Sequence, residues 1–402
     1  MKIIARKKYL SKLIASRNKQ IIKVITGIRR CGKSVLLDLF RKYLLDDGVK
    51  EQQIIYINFE NFDNIELRDP IKLYSYIKNQ INDNGKMTYI LLDEIQQVDK
   101  FPEVVDSLFI KKNVDLYITG SNANMLSSEL ATLLTGRYIE IAMMPLSFSE
   151  YVSSTGDDTD LQRKYTEYIS FGSFPYICEL DKNPTLIHDY MDGIFSTIVL
   201  KDIISRKKIN DTMMLESVIR FLFDNIGNTF STKRIADTMT SNGRKIDVKT
   251  VEKYISALTE SFILYKCSRY NIKGMQYLKT LDKYYVVDMG LRNFLHGSRS
   301  YDAGHILENI VYLELLRRGN NVYVGKIDNL EVDFVSLTPD GITYYQVAAT
   351  VRDERTLERE LASLRSINDH YPKYILTLDE DPEADYNGIR RLNVLQWLLR
   401  DM

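Results

Sequence analysis

Cysteine is scarce in this chain, and its number is odd. Cys31, Cys178 and Cys267 stand far apart in 402 residues. A scattered, odd set excludes a disulfide framework and fits a reducing cytoplasm. Four histidines, equally scattered, build no zinc-ligand spacing with them. Neither sign of charge is in excess: 54 Lys and Arg balance 54 Asp and Glu. The whole chain therefore carries no field that would advertise a nucleic-acid or membrane partner. No run approaches the ~18 apolar residues of a membrane span. Met1 to Lys8 place charges where a signal peptide needs its apolar core. Internal repeats and low-complexity tracts are lacking too. What is present is the composition of a soluble globular protein, 45% hydrophobic and 27% charged. The length suggests two to four domains of roughly 100–200 residues each.

One stretch organises the rest. Gly27-Ile28-Arg29-Arg30-Cys31-Gly32-Lys33-Ser34 matches the phosphate-binding pattern G-x-x-x-x-G-K-[ST]. Ile21 to Thr26 before it read as a buried strand, and Val35 onward reads as the start of an amphipathic helix. A loop between strand and helix is the setting that the pattern needs. Gly27 and Gly32 let backbone N–H groups curl towards phosphate oxygens, and the helix N-terminus adds partial positive charge. Lys33 is expected on the β- and γ-phosphates, and the Ser34 hydroxyl on Mg²⁺. Cys31 invites a redox reading, but a small residue filling a tight loop is the better one.

Further strands follow. Gln53 to Glu60 read as the second, and Thr88 to Asp93 as the third, ending in Leu91-Leu92-Asp93-Glu94. An apolar run closing on two carboxylates is the Walker B pattern. Asp93 is expected to hold Mg²⁺ through its water shell, and Glu94 to orient and polarise the attacking water. Val114 to Asn122 form another strand ending in small polar residues. Ser121 and Asn122 there suit either a γ-phosphate sensor or a helix N-cap. Arg137 sits just before the strand Ile139 to Met143. It suits an arginine finger, in cis or from a second copy in trans, or an ordinary salt bridge.

Together these residues resemble a bacterial and archaeal family of AAA-type P-loop ATPases, of the AAA+ superfamily, with a C-terminal domain of unknown function. The resemblance rests on Gly27 to Ser34, Tyr56 to Glu60, Leu91 to Glu94, Thr119 to Asn122, Thr135 to Tyr138, Pro145 to Phe148, Gly172 to Pro175 and Glu331 to Phe334. It implies ATP and Mg²⁺ as cofactors and a helical lid over the nucleotide. No sensor-2 arginine is assigned in that lid; Lys201 and Arg206 are basic candidates, and plain helix-surface charge is the better reading of both.

Residues 213–270 resemble a winged helix-turn-helix. Thr232 to Met239 form one helix; Asp247 caps a second with Val251, Tyr254, Ile255 and Leu258 on one face. Arg244, Lys245, Lys249 and Lys253 are candidate DNA-backbone contacts. From Lys201 to Thr280 fifteen Lys and Arg stand against eight Asp and Glu. A local excess of seven in a neutral protein suits a nucleic-acid surface, although such modules also bind proteins.

From Gly304 on, the order helix, strand, strand, strand, helix, strand resembles a restriction-endonuclease-like core. Glu308, Asp333 and Gln346 fall where that resemblance expects metal-holding residues. The lysine that should polarise the attacking water is replaced by Ala348, so nuclease activity is not expected.

The expected fold class is α/β: a P-loop NTPase parallel sheet (1–145), a helical lid (146–205), a winged helix-turn-helix (206–280) and a restriction-endonuclease-like domain (281–402). The expected activity is Mg²⁺-dependent ATP hydrolysis whose nucleotide state controls DNA or partner binding. The alternatives are a slow ATP-dependent regulator that binds protein rather than DNA, and an ATP-gated nuclease.

Overall fold

The computed structural model describes residues 4–81, 85–123, 134, 136–156, 159–205, 207–297 and 303–400. Thr135 and Arg206 lie outside the described residues, as does the Lys201 side chain. The chain forms two compact units, 1–145 with 260–262 and 146–259 with 263–402.

The first unit carries α1 (Lys7–Ala15), α2 (Lys33–Asp46), α3 (Pro70–Gln80) and α4 (Phe101–Phe109). Its five strands are β1 (Ile22–Thr26), β2 (Ile54–Asn58), β3 (Thr88–Asp93), β4 (Val114–Gly120) and β5 (Tyr138–Ala142). They form one sheet in the order β2-β3-β4-β1-β5, parallel throughout. Every residue of β1, β3 and β4 is buried. A sheet covered on both faces needs continuous apolar runs rather than alternation, which is the pattern these segments show. Ile22, Val24, Ile57, Ile90, Leu92 and Ile118 pack into one core on one face. On the other, Phe40 of α2 meets Tyr117 with ring centroids 4.6 Å apart. Lys23 lies buried in β1, and its ammonium pairs with Asp115 at 2.5 Å. Because all strands run the same way, their C-terminal ends share one edge, and the polar residues of the site gather there.

The second unit opens with α5 (Phe148–Thr155), α6 (Leu161–Phe171) and α7 (Pro184–Ser196), the last continuing as a π-helix over Thr197–Ser205. Pro145 to Phe148 owe their pattern to a capping box: Ser147 and Glu150 bond each other's backbone N–H at 3.1 and 2.9 Å. Three helices follow, α8 (Thr212–Asp224), α9 (Thr232–Ser241) and α10 (Val248–Glu260). Asp247 caps α10 through the Thr250 N–H at 3.0 Å. Val251, Tyr254, Ile255 and Leu258 are buried on it. The strands β6 (Leu264–Asn271) and β7 (Gln276–Val286) come next, then α11 (Met289–His296) and α12 (Ala303–Arg317). Gly172 to Pro175 have a structural role here, because buried Asp288, which caps α11, accepts from both the N–H and the hydroxyl of Ser173 at 2.5 and 2.6 Å.

The remaining strands are β8 (Asn321–Ile327), β9 (Leu330–Thr338), β10 (Gly341–Ala348), β11 (Lys373–Thr377), β12 (Ala384–Asp385) and β13 (Ile389–Asn393), with α13 (Glu354–Arg365) and α14 (Val394–Leu399). The sheet order is β12-β13-β11-β10-β9-β8-β6-β7. The expected boundary between 280 and 281 therefore falls inside β7. The hairpin read as a wing is the end of an eight-stranded sheet, because β6 pairs in parallel with β8. A lone two-stranded hairpin is marginal in water, and the extra neighbour supplies what it lacks. Every residue of α12 from Ile306 to Leu315 is buried, Glu308, Asn309 and Glu314 included.

Candidate nucleotide site and a second polar cluster

The phosphate loop leaves β1 at Gly27 and enters α2 at Lys33. Gly27 has φ +151°, and a Cβ there would lie 2.0 Å from the Met143 carbonyl oxygen. Arg30 and Gly32 also take positive φ, +65° and +102°. Ile28 and Cys31 are buried and anchor the loop. Arg6, itself buried, donates to Cys31 O at 2.9 Å and to Met144 O at 2.6 Å. Burial pushes the Cys31 thiol pKa up, which suits a packing role. Arg29 pairs with Glu60 at 2.8 Å, Arg30 is exposed, and Gly32, Ser34 and Val35 are partly buried around Lys33.

Lys33 is only 4% exposed. Its ammonium donates to Gly27 O at 3.0 Å and Ile28 O at 3.3 Å, and pairs with Glu94 Oε1 at 3.3 Å. Asn58 stands beside Asp93 in the β2–β3 register and donates to its Oδ2 at 2.9 Å. Thr119 on β4 donates to Asp93 Oδ1 at 2.6 Å and accepts the Glu94 N–H at 2.9 Å. The Ser34 hydroxyl also bonds Asp93. Ser121 and Asn122 are buried where β4 ends, and Gln96 donates to Ser121 Oγ at 3.3 Å.

The two neighbouring carboxylates are tuned in opposite directions. Burial raises the Asp93 pKa, only partly offset by the Ser34 and Thr119 hydrogen bonds. Burial works the same way on Glu94, but the Lys33 charge and the Gln96 hydrogen bond outweigh it and the pKa falls. Lys33 is raised, since Glu94 overcomes the cost of burying its charge. A hydroxyl and a carboxylate already in contact suit Mg²⁺, which keeps waters and phosphate oxygens as its other ligands. Ser34 and Asp93 would hold it, with Asn58 and Thr119 fixing the carboxylate.

Arg137 is placed elsewhere. It precedes β5, whose Tyr138 is in register with Ile22, so it lies at the strand-starting edge of the sheet. Four residues of strand, about 13 Å, separate that edge from Thr26 and the loop. Its guanidinium pairs with Asp106 at 2.6 Å. Within one chain it does not join Lys33 and Glu94.

Sequence reasoning passed over Asn58, Thr119 and Gln96. Asn58 and Thr119 had one usable signal, a polar residue at the C-terminal end of an apolar strand.

Glu308, Asp333 and Gln346 do meet. Gln346 accepts the Asp333 N–H at 2.8 Å and donates to Glu360 at 2.6 Å. Asp333 Oδ2 accepts from Val347 N–H at 2.8 Å. Ala348 closes β10, and a lysine arrives from another strand: Lys283 of β7. Its ammonium lies 2.9 Å from Glu308, 2.8 Å from Glu331 and 3.9 Å from Asp333. Tyr285 donates to Glu308 at 2.5 Å. Burial and the Glu308 charge push Asp333 up to about 8. Glu308 resists its own burial because Lys283 and its hydrogen bonds hold it down at about 2. Arg352, which follows Ala348 closely in sequence, pairs with Asp381 at 2.9 Å.

Lys245, Lys249 and Lys253 are exposed on and before α10. Arg244, also exposed, turns to α8, donating to Met213 O at 3.0 Å and Ser217 Oγ at 2.7 Å.

Residues 19–152 match the family described as an AAA domain, and residues 162–302 match a domain of unknown function. An uncharacterized protein of Haemophilus influenzae is 40% identical over 401 residues, 99% of each chain. An uncharacterized protein of Methanocaldococcus jannaschii is 32% identical over 339 residues, 78% of this chain and 71% of that one. Among solved structures, a Walker-type ATPase of Pyrococcus abyssi is similar in fold, with TM-score 0.51 and 14% identity, covering 73% of this chain and 96% of that one.

Proposed function

Because the chain belongs to the family of AAA-domain P-loop ATPases that includes these two relatives, we propose that it hydrolyses Mg·ATP at Lys33, Ser34, Asp93 and Glu94. In this reading the nucleotide controls how the C-terminal part meets DNA or a partner. One observation carries the catalytic part: Lys33 and Glu94 are in contact, 3.3 Å apart, beside an Asp93 whose oxygens are held by Ser34, Asn58 and Thr119. Glu94, kept ionised, takes a proton from the attacking water while Lys33 steadies the phosphate charge. Lys33→Ala should abolish nucleotide binding or weaken it strongly. Glu94→Gln should bind ATP and turn it over about 10²–10⁴-fold more slowly. Wild-type turnover by Glu94→Gln would show that another group positions the water. A role for Arg137 at this site needs a second copy of the chain.

DNA contact through Lys245, Lys249 and Lys253 is supported by their exposure and the local excess of basic residues. The protein-binding alternative draws on Arg244, whose guanidinium is already engaged by α8. The Glu308–Asp333–Gln346 cluster is read as a fastening rather than a cutting centre, since Lys283 already neutralises it. Mn²⁺-dependent plasmid cleavage that disappears in Asp333→Ala would instead favour the ATP-gated nuclease.

A further inference from the structure

We propose that Gln96 is a positioning residue for Glu94, holding the carboxylate aimed while Lys33 turns to phosphate. The inference rests on the ATPase reading above.

Glu94 presents two oxygens, and each has its own partner. Oε1 is held by Lys33 at 3.3 Å; Oε2 accepts a hydrogen bond from Gln96 Nε2. The two partners differ in their other duties. Phosphate oxygens compete for the Lys33 ammonium, so its hold on Glu94 weakens as ATP is bound. Gln96 has no such competing ligand. Its second N–H donates to Ser121 Oγ at 3.3 Å, tying the end of β3 to the end of β4.

The backbone is shaped to allow this. Glu94 takes φ +55° and ψ +48°, in the left-handed region, and a 3₁₀ turn over Ile95–Gln97 follows at once. That reversal brings the side chain two residues on back against the carboxylate. A non-glycine residue in this conformation is uncommon and needs support from its surroundings; the Thr119 hydroxyl supplies some by accepting the Glu94 N–H.

The orientation of the amide adds an independent point. Gln96 Oε1 is buried and takes no hydrogen bond from any described residue. A buried acceptor without a donor is costly, so interactions elsewhere on the side chain must decide its position. Those interactions are with Glu94 and Ser121, both through the nitrogen. A side chain tied at its nitrogen to both groups holds the Glu94 carboxylate in one orientation.

The test is steady-state ATP hydrolysis by the full chain against ATP concentration. Gln96→Met keeps the length and apolar stem and removes the donors. Its kcat should fall about 100-fold, the scale of a misaimed catalytic group, with the KM for ATP within about twofold. Gln96→Glu keeps the shape but replaces the donor amide with a like charge beside Glu94, so its kcat should fall at least as far, again with little change in KM. A kcat within twofold of wild type for both variants would overturn the inference. So would a KM for ATP that rises in step with the fall in kcat, which is what a general disturbance of the site gives. Absence of ATP turnover in the unsubstituted protein would overturn the ATPase reading and this inference together, whereas an indifferent Gln96 overturns only the latter.

Discussion

Gly27 and Gly48 make a controlled pair at the scale of single residues. Both have positive φ, +151° and +86°, so alanine at either carries backbone strain of about 1–3 kcal/mol. Only at Gly27 would the new methyl meet anything: Met143 O at 2.0 Å and Cys31 Sγ at 3.1 Å. Gly48 has open space around it. Gly27→Ala should therefore lower the unfolding midpoint more than Gly48→Ala and also abolish ATP binding, whereas Gly48→Ala should keep it. Thermal unfolding with a fluorescent ATP analogue reads both. Equal losses would mean that strain, not the Met143 contact, decides. The residues of this loop were legible in the sequence because their spacing is local. Asn58, Thr119 and Gln96 were not. Asn58 reaches Asp93 through strand register across 35 positions, and a pairing of that kind leaves no local spacing to read. Gln96 is two residues from Glu94, but only the left-handed turn at Glu94 brings them face to face.

Between elements, the informative contact is Lys283, which joins β7 to α12 through Glu308 and to β9 through Glu331. Removing one partner of a buried ion pair typically costs about 3–5 kcal/mol, because the remaining charges stay buried. Lys283→Met should lower the unfolding free energy, measured by chemical denaturation, by an amount in that range, and Lys273→Met, which breaks the exposed pair with Asp328, by far less. Asp333 gives a pH test. Its folded pKa is raised to about 8 from an unfolded value near 3.8. The folded chain holds the proton that the unfolded chain has given up, so this group's contribution is full below pH 3.8 and falls as pH rises to about 8. The slope is at most about 1.4 kcal/mol per pH unit. Asp333→Asn removes it, so the variant should gain on wild type in unfolding temperature from pH 5 to pH 8. A difference independent of pH would refute the raised pKa. The order of elements from α12 to β11 was readable in the sequence. The source of the lysine was not, because Lys283 precedes Glu308 by 25 positions and sits in β7, which crosses the expected boundary at 280.

For the molecule as a whole, charge is the testable quantity. The seven-charge excess between Lys201 and Thr280 must be balanced elsewhere in a neutral chain. If Lys249 and Lys253 touch DNA phosphates, affinity for random duplex falls steeply with salt by counterion release. Lys249→Ala with Lys253→Ala should then flatten the plot of log affinity against log salt by about 0.9 for each phosphate no longer neutralised. Binding that ignores both salt and these substitutions would favour the protein-partner reading.

What the sequence by itself determined is the part written in short-range pattern. It includes the phosphate loop between strand and helix, the carboxylates closing β3, the Asp247 cap and the apolar face of α10. Each depends on residues a few positions apart, where backbone geometry fixes who meets whom. Tertiary structure decided the rest. Parallel register brings Asn58 and Thr119 to Asp93, and places Arg137 at the edge away from Lys33. Sheet extension through β6 and β8 carries Lys283 to Glu308. Those meetings depend on which strands lie side by side, and hydrogen bonding between distant segments, not spacing along the chain, selects them.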